Sequence, residues 1–415
     1  MRLLLSSQFA IKLGFNLLMP YLAGHLSHGL GMAAWVLGVV LGVRNASQRG
    51  LSLVGGYLSD RLGCRTAVIA GCALRTLGFA LLGTATGVPA LVLAAAATGF
   101  AGALFDPGVR TLVSQAAGEG RVEAFARFNI AGQAGLLLGP LAGLGLSWLP
   151  FPGIAMVAAA VFAALTVVQA IWLPRGNQRR KAKPVRWGPV LRNKAFLCFS
   201  LAMVGSAVLA FQVYLALPLV MERALGPEQN IGMSEMFALS ALLVITLQKR
   251  VSTWAAERWT PPRAMAIGVA VLGLAFVPMV AFSTPTAPDL GYEELAEHLA
   301  TLPMLATAAL LALGTMLILP FEMDVIVRLA RGRLVATHYG VYATVSGLGI
   351  TAGSLVTGVI WDSAGSWGVA WLPWATLVLI GVGSALAVLL LDRLQVLAEP
   401  YRKGKHRANT ALSRR

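Results

Sequence analysis

Long apolar runs separated by short charged or Gly/Pro-rich breaks dominate the pattern of this chain. They fall near residues 5–26, 32–57, 66–86, 88–114, 124–147 and 152–173, and again near 196–221, 232–255, 263–283, 302–328, 338–360 and 370–392. A helix needs about 20 apolar residues to cross a hydrocarbon core of roughly 30 Å, and each run reaches that length. In lipid every backbone N–H and C=O must be satisfied within the structure, which favours helices over irregular chain. The pattern therefore predicts an all-α polytopic membrane protein of twelve transmembrane helices. It divides into an N-terminal six-helix half, 1–173, a basic middle loop, 174–195, a C-terminal six-helix half, 196–392, and a basic tail, 393–415.

Composition agrees. Of 415 residues 57% are hydrophobic and only 12% charged, with a mean hydropathy of +0.74, more apolar surface than a soluble domain can bury. A net charge of +16 would suggest a nucleic-acid partner, but the cations are distributed otherwise. Arg61 and Arg65, Arg121 and Arg127, the middle loop, Arg258 and Arg263, Arg331 and Arg333, and the tail fall in alternate breaks. Arg223 is the exception, and the break from Asp289 to His298 is acidic, with Glu293, Glu294 and Glu297. This asymmetry is the orientation signal of membrane proteins and predicts both termini in the cytoplasm. The partner is a lipid bilayer, not nucleic acid.

Other chemistries find little support. Met1-Arg2-Leu3 leads into an apolar run broken by Lys12 and Asn16, without a clear cleavage site, and reads as the first span. Cys64, Cys72 and Cys198 fit packing better than a disulfide framework or a zinc site. There is no Gly-x-x-x-x-Gly-Lys-Ser/Thr loop to bind ATP and no His/Cys/Asp cluster for hydrolysis. The expectation is a protein that is not an enzyme, with no catalytic residue, metal or cofactor.

The two halves echo each other. Asp60-Arg61 is followed by Gly71 at the same spacing as Glu257-Arg258 by Gly268, and Arg65 and Arg263 take nearly matching places. Parallel six-helix repeats of this kind build transporters with a substrate site near the midplane. The first copy, Gly56-Tyr57-Leu58-Ser59-Asp60-Arg61-Leu62-Gly63-Cys64-Arg65, reads as a short charged turn between the second and third spans. It closely resembles the signature loop of the major facilitator superfamily, with Cys64 where a basic residue is usual. The resemblance implies that Asp60 faces the N-terminal end of the eleventh helix, where unpaired amides attract negative charge. It also implies stabilisation of the outward-open form, close backbone approach at Gly56 and Gly63, and pairing of Arg61 with an acid on the fourth helix, here Asp106.

Leu104-Phe105-Asp106-Pro107 and Gly38-Val39-Val40-Leu41-Gly42-Val43-Arg44 resemble the multidrug transporters of the MdtH type within that superfamily. Asp106 and Arg110 share one helix face, either as a local ion pair or as part of a switching network with Asp60 and Arg61. Gly135, Gly139, Pro140 and Gly143 resemble the antiporter motif of the fifth helix, although Ala126 and Leu144 replace expected glycines; a close-packed, bent helix is the plainer reading.

Polar groups inside spans complete the candidates. Lys12 and Asn16, Arg44 and Gln48, and Asn129 and Gln133 pair on helix faces, Arg75 lies in the third span and Gln212 in the seventh. A cation in a span faces a wet cavity or a partner, and Arg44 is the strongest cavity residue, whereas Lys12 has a snorkelling alternative. A proton-driven cycle needs a carboxylate: Asp106, Glu322 or Glu235. Asp324 reads as a solvated charge at a helix end. The first span carries no acid, unlike many proton-driven relatives. The reading is a monomeric secondary transporter of a bacterial inner membrane, exporting small amphipathic drugs or metabolites against proton entry. The alternative is an importer or facilitator of a small nutrient.

Overall fold

The computed structural model describes residues 1–32, 34–146, 148–174, 187–218, 220, 229–282 and 293–397. The basic residues of 175–186, Arg223 and the tail beyond Leu397 lie outside them. Among the described residues the chain is helical throughout. The first helices are α1 (Arg2–Gly24), α2 (Ala34–Gly50), α3 (Ser52–Leu62), α4 (Cys64–Thr84), α5 (Val88–Ala117), α6 (Arg121–Gly145) and α7 (Phe151–Trp172). There follow α8 (Gly188–Leu191), α9 (Lys194–Ala202), α10 (Val204–Phe211) and α11 (Gln229–Arg258). The last are α12 (Pro261–Leu274), α13 (Val277–Phe282), α14 (Glu293–Leu329), α15 (Val335–Trp367) and α16 (Leu372–Arg393).

Eight helices among the described residues are long and apolar enough to cross a membrane by length and composition. The remaining apolar runs are helical too, but polar side chains such as Lys12, Arg44 and Asn129 interrupt them. The second run is two helices. It breaks at Leu51 and continues through Asp60 to Leu62, so the charged signature is helix and not loop. The connection to α4 is Gly63 alone, whose φ of 93° lies in the region that glycine adopts without steric cost.

The chain forms two compact units. The first comprises Met1–Asn193 together with Gly332–Gly347, and the second Lys194–Arg331 with Leu348–Arg415. The first turns of α15 therefore belong with the N-terminal residues, a division that an even cut between six and six helices does not anticipate. The cause is local: a Cβ on Gly56 would strike the Ala336 carbonyl oxygen, and one on Gly340 the Ser52 carbonyl oxygen. Only bare backbone allows such approach.

Within the first unit the fully buried rings of Phe79, Phe105, Phe125 and Phe162 form the core. Within the second, Phe196, Phe199, Phe276 and Phe321 do the same. Corresponding glycines carry corresponding contacts. A Cβ on Gly71 of α4 would lie 2.8 Å from the Ala101 carbonyl oxygen on α5, and one on Gly268 of α12 would lie 3.0 Å from that of Gly314 on α14.

Candidate functional site

Asp60 lies near the end of α3 and closes on the first turn of α15. Its Oδ2 accepts the Thr337 backbone N–H at 2.7 Å and the Thr337 hydroxyl at 2.6 Å, while Oδ1 accepts the Ala336 N–H at 3.4 Å. These amides have no partner within their own helix, and the helix dipole adds attraction for a carboxylate. All of these residues lie in the first unit.

A second seam runs along the same helices. The Thr344 hydroxyl donates to the Arg49 carbonyl at 3.0 Å and accepts the Leu53 N–H at 3.2 Å. Leu53 N–H and Arg49 C=O would be i→i−4 partners in an unbroken helix, so the Thr344 oxygen stands in the ladder where α2 gives way to α3. A side chain inserted in this way is a recognised cause of helix breaks. Nothing in the sequence around Thr344 signals this role, because its partners are distant in the chain.

The other residues of the signature are local. Arg61 is exposed and stays on its own helix, 3.4 Å from the Tyr57 hydroxyl and 6.0 Å from that ring's centroid. The expected Arg61–Asp106 pair is absent, because Asp106 lies within the body of α5 and accepts from Gln48 Nε2 at 3.1 Å. Nor do Asp106 and Arg110 form an ion pair; Arg110 is half-buried one turn further along. Arg65 donates from Nε to the Leu173 carbonyl at 3.0 Å and from its terminal nitrogen to the Ala170 carbonyl. A cation there satisfies the C-terminal end of α7.

Gly135, Gly139 and Gly143 form one face of α6 pressed against α1. A Cβ on Gly135 would strike the Phe9 carbonyl oxygen, one on Gly139 would lie 2.7 Å from the Asn16 Cβ, and one on Gly143 would lie 2.6 Å from the Leu17 carbonyl oxygen. Pro140 lies half-buried inside the same helix. The glycine spacing thus sets how deeply α1, with Lys12 and Asn16, beds against α6.

Lys12, Arg44, Gln48 and Asp106 come together. The charged neighbours of Lys12 are Asp106, Arg75, Arg44 and Arg110. Arg44 donates to Asn45 Oδ1 at 3.1 Å and to Gln48 Oε1 at 3.3 Å, and its guanidinium lies 4.1 Å from the centroid of Phe15. Gln48 passes the chain on to Asp106. Arg75 is buried, with the rings of Phe105 and Phe162 at 5.8 Å and 5.6 Å. Asn16 turns back to the Lys12 carbonyl at 2.7 Å.

Other candidates lie elsewhere. Asn129 and Gln133 are half-buried on α6. Gln212 is fully buried in a short 3₁₀ turn, donating to the Val208 carbonyl at 3.2 Å, and its Oε1 is buried without a hydrogen-bond partner. Glu235 is exposed on α11 and Glu322 half-buried on α14. Asp324 corrects the sequence reading: it is buried, not solvated, and pairs with Arg328 at 2.6 Å. Among the described residues no cluster of His, Cys, Asp and Glu could hold a metal ion.

Comparison with known proteins bears on this arrangement. The family model of the Major Facilitator Superfamily matches residues 4–296. The chain belongs to the major facilitator superfamily. The superfamily fold is a twelve-helix transporter, and its members are not enzymes. A major facilitator transporter of Mycobacterium tuberculosis strain H37Rv, itself uncharacterized, is 42% identical over 395 residues, spanning 94% of this chain and 93% of that one. Multidrug resistance protein MdtH of Cronobacter sakazakii is 28% identical over 386 residues, spanning 92% of each. Among solved structures, the human organic anion transporter MFSD10 superposes with a TM-score of 0.70 over 93% of this chain and 98% of that one. At 16% identity that likeness speaks for the facilitator fold alone.

Proposed function

We propose that this facilitator exports small amphipathic molecules from a bacterial cytoplasm by alternating access, coupled to proton entry. It works as a monomer in the inner membrane with both termini cytoplasmic. The observation that carries the coupling is Asp106, a half-buried carboxylate in the body of a membrane helix, hydrogen-bonded to Gln48 and close to Lys12. A charge held there responds to any ligand that reaches Lys12 or Arg44, which lets substrate and proton sense each other. The name of the multidrug relatives supports the substrate range, and the lopsided cations support the orientation. In this reading Asp60 holds α15 in one conformation and releases it in the other.

A second reading, uptake or facilitated passage of a small nutrient, is favoured by one feature: α1 carries no acid, unlike the first helix of many proton-driven relatives. Proteoliposomes with an imposed pH gradient and an internal pH dye separate the two. Export predicts that a panel of amphipathic drugs dissipates the gradient and that Asp106→Asn abolishes the effect while Glu322→Gln and Glu235→Gln retain it. Tracer flux of a nutrient with no proton movement across the panel would leave the facilitator instead.

A further inference from the structure

Lys12 has one carboxylate and three further cations as charged neighbours in the first unit: Asp106, Arg75, Arg44 and Arg110. Uncompensated positive charge is costly inside a membrane bundle, so such an excess points to a counter-charge that comes and goes. Asp106 is already engaged by Gln48, and Arg75 is enclosed by Phe105 and Phe162. Arg44 is different. Its two terminal nitrogens reach Asn45 and Gln48, yet its Nε is buried with no hydrogen-bond partner.

Lys12 is also open. Its side chain is exposed in the middle of α1, and the ammonium makes no hydrogen bond among the described residues, although the Lys12 carbonyl accepts from Asn16 Nδ2. Beside these donors stands the half-buried ring of Phe15, whose centroid lies 4.1 Å from the Arg44 guanidinium. The Nε edge of a guanidinium pairs with planar oxyanions through two parallel hydrogen bonds, and an ammonium adds a point charge.

We infer that Lys12 and Arg44 form the anion-binding end of the substrate site, and that the transported molecule is an amphiphilic organic anion, a carboxylate or sulfonate on an apolar body. This rests on the transporter reading above and names its substrate class. Phe15 takes the apolar body, while the oxyanion takes the unpartnered Nε of Arg44 and the Lys12 ammonium. The direction also fits export, since a membrane potential negative inside drives an anion outward.

The test uses the purified full chain and three labelled probes of one shape: 1-naphthoate, the neutral 1-naphthamide and the cationic 1-naphthylmethylammonium. Binding is measured in detergent and flux in vesicles of phosphatidylcholine alone, so that no anionic lipid competes. Naphthoate is expected to bind saturably and at least tenfold more tightly than the other two. Lys12→Gln and Arg44→Gln should each weaken it at least tenfold, with partial recovery in Arg44→Lys, which keeps the charge and loses the fork. Equal binding of all three probes, absence of saturable naphthoate binding, or wild-type affinity in both glutamine variants would overturn the assignment. Flux of the cation alone would sink the anion site and leave the transporter standing. Naphthoate that binds but never crosses the vesicle would keep the anion site and sink the transport reading.

Discussion

Thr337 gives both its backbone N–H and its hydroxyl to a single oxygen of Asp60, at 2.7 Å and 2.6 Å. One carboxylate oxygen therefore fixes the first turn of α15 against the end of α3. Hydrogen bonds to a charged group contribute about 1.5–3 kcal/mol each. Asp60→Asn removes the charge and replaces one acceptor oxygen by a donor, so it should express and fold but lower turnover at least tenfold. Thr337→Val removes the hydroxyl and keeps the amide, and should give a smaller loss. Vesicle flux normalised to folded protein measures both; equal, wild-type turnover in the two variants would refute a role for the contact in the cycle.

Thr344 bridges the break between α2 and α3. Thr344→Val keeps the shape and deletes the oxygen that satisfies both Leu53 N–H and Arg49 C=O. Leaving such groups unsatisfied costs about 1–3 kcal/mol. Faster hydrogen–deuterium exchange at the Leu53 amide is expected, with near-normal exchange in Thr344→Ser. Exchange unchanged in the valine variant would mean that the helix closes its own bond there.

The glycine face of α6 predicts a graded steric response. At Gly139 an added Cβ would meet the Asn16 Cβ at 2.7 Å and the Leu13 carbonyl oxygen at 3.0 Å, and neither is the end of a flexible chain. Gly139→Ala should destabilise by about 1–3 kcal/mol, the usual range for overpacking, and Gly139→Leu by more. A thermal-shift assay in detergent reads the order. Gly145, whose Cβ would meet nothing within 4 Å, serves as the tolerant control.

Asp324 and Arg328 predict a loss of stability in the second unit. The Asp324 side chain is 1% exposed and that of Arg328 29%. Removing one partner of a buried pair typically costs roughly 3–5 kcal/mol, and the partial exposure of Arg328 places Asp324→Asn toward the lower end. A fall in melting temperature of several degrees is expected. If Asp324→Asn melts like the parent chain, the pair contributes nothing net.

The sequence by itself determined the fold class and the number of apolar runs, because a bilayer admits few backbone solutions and each run must be long and apolar. It also determined the family, through a short signature whose order of Gly, Asp and Arg is specific. Charged and polar groups were legible as candidates for a related reason: Lys12, Arg44, Gln48 and Asp106 are conspicuous wherever they interrupt an apolar run. Their partners were not legible. Asp106 meets Gln48 and not Arg61, Asp324 is buried against Arg328, and Gly332–Gly347 belongs with residues far away in the chain. Periodicity fixes which face of a helix a residue occupies, but the depth of each helix and its rotation against a neighbour follow from which small residues let backbones touch. That is a property of pairs of surfaces, and only the tertiary structure decided it.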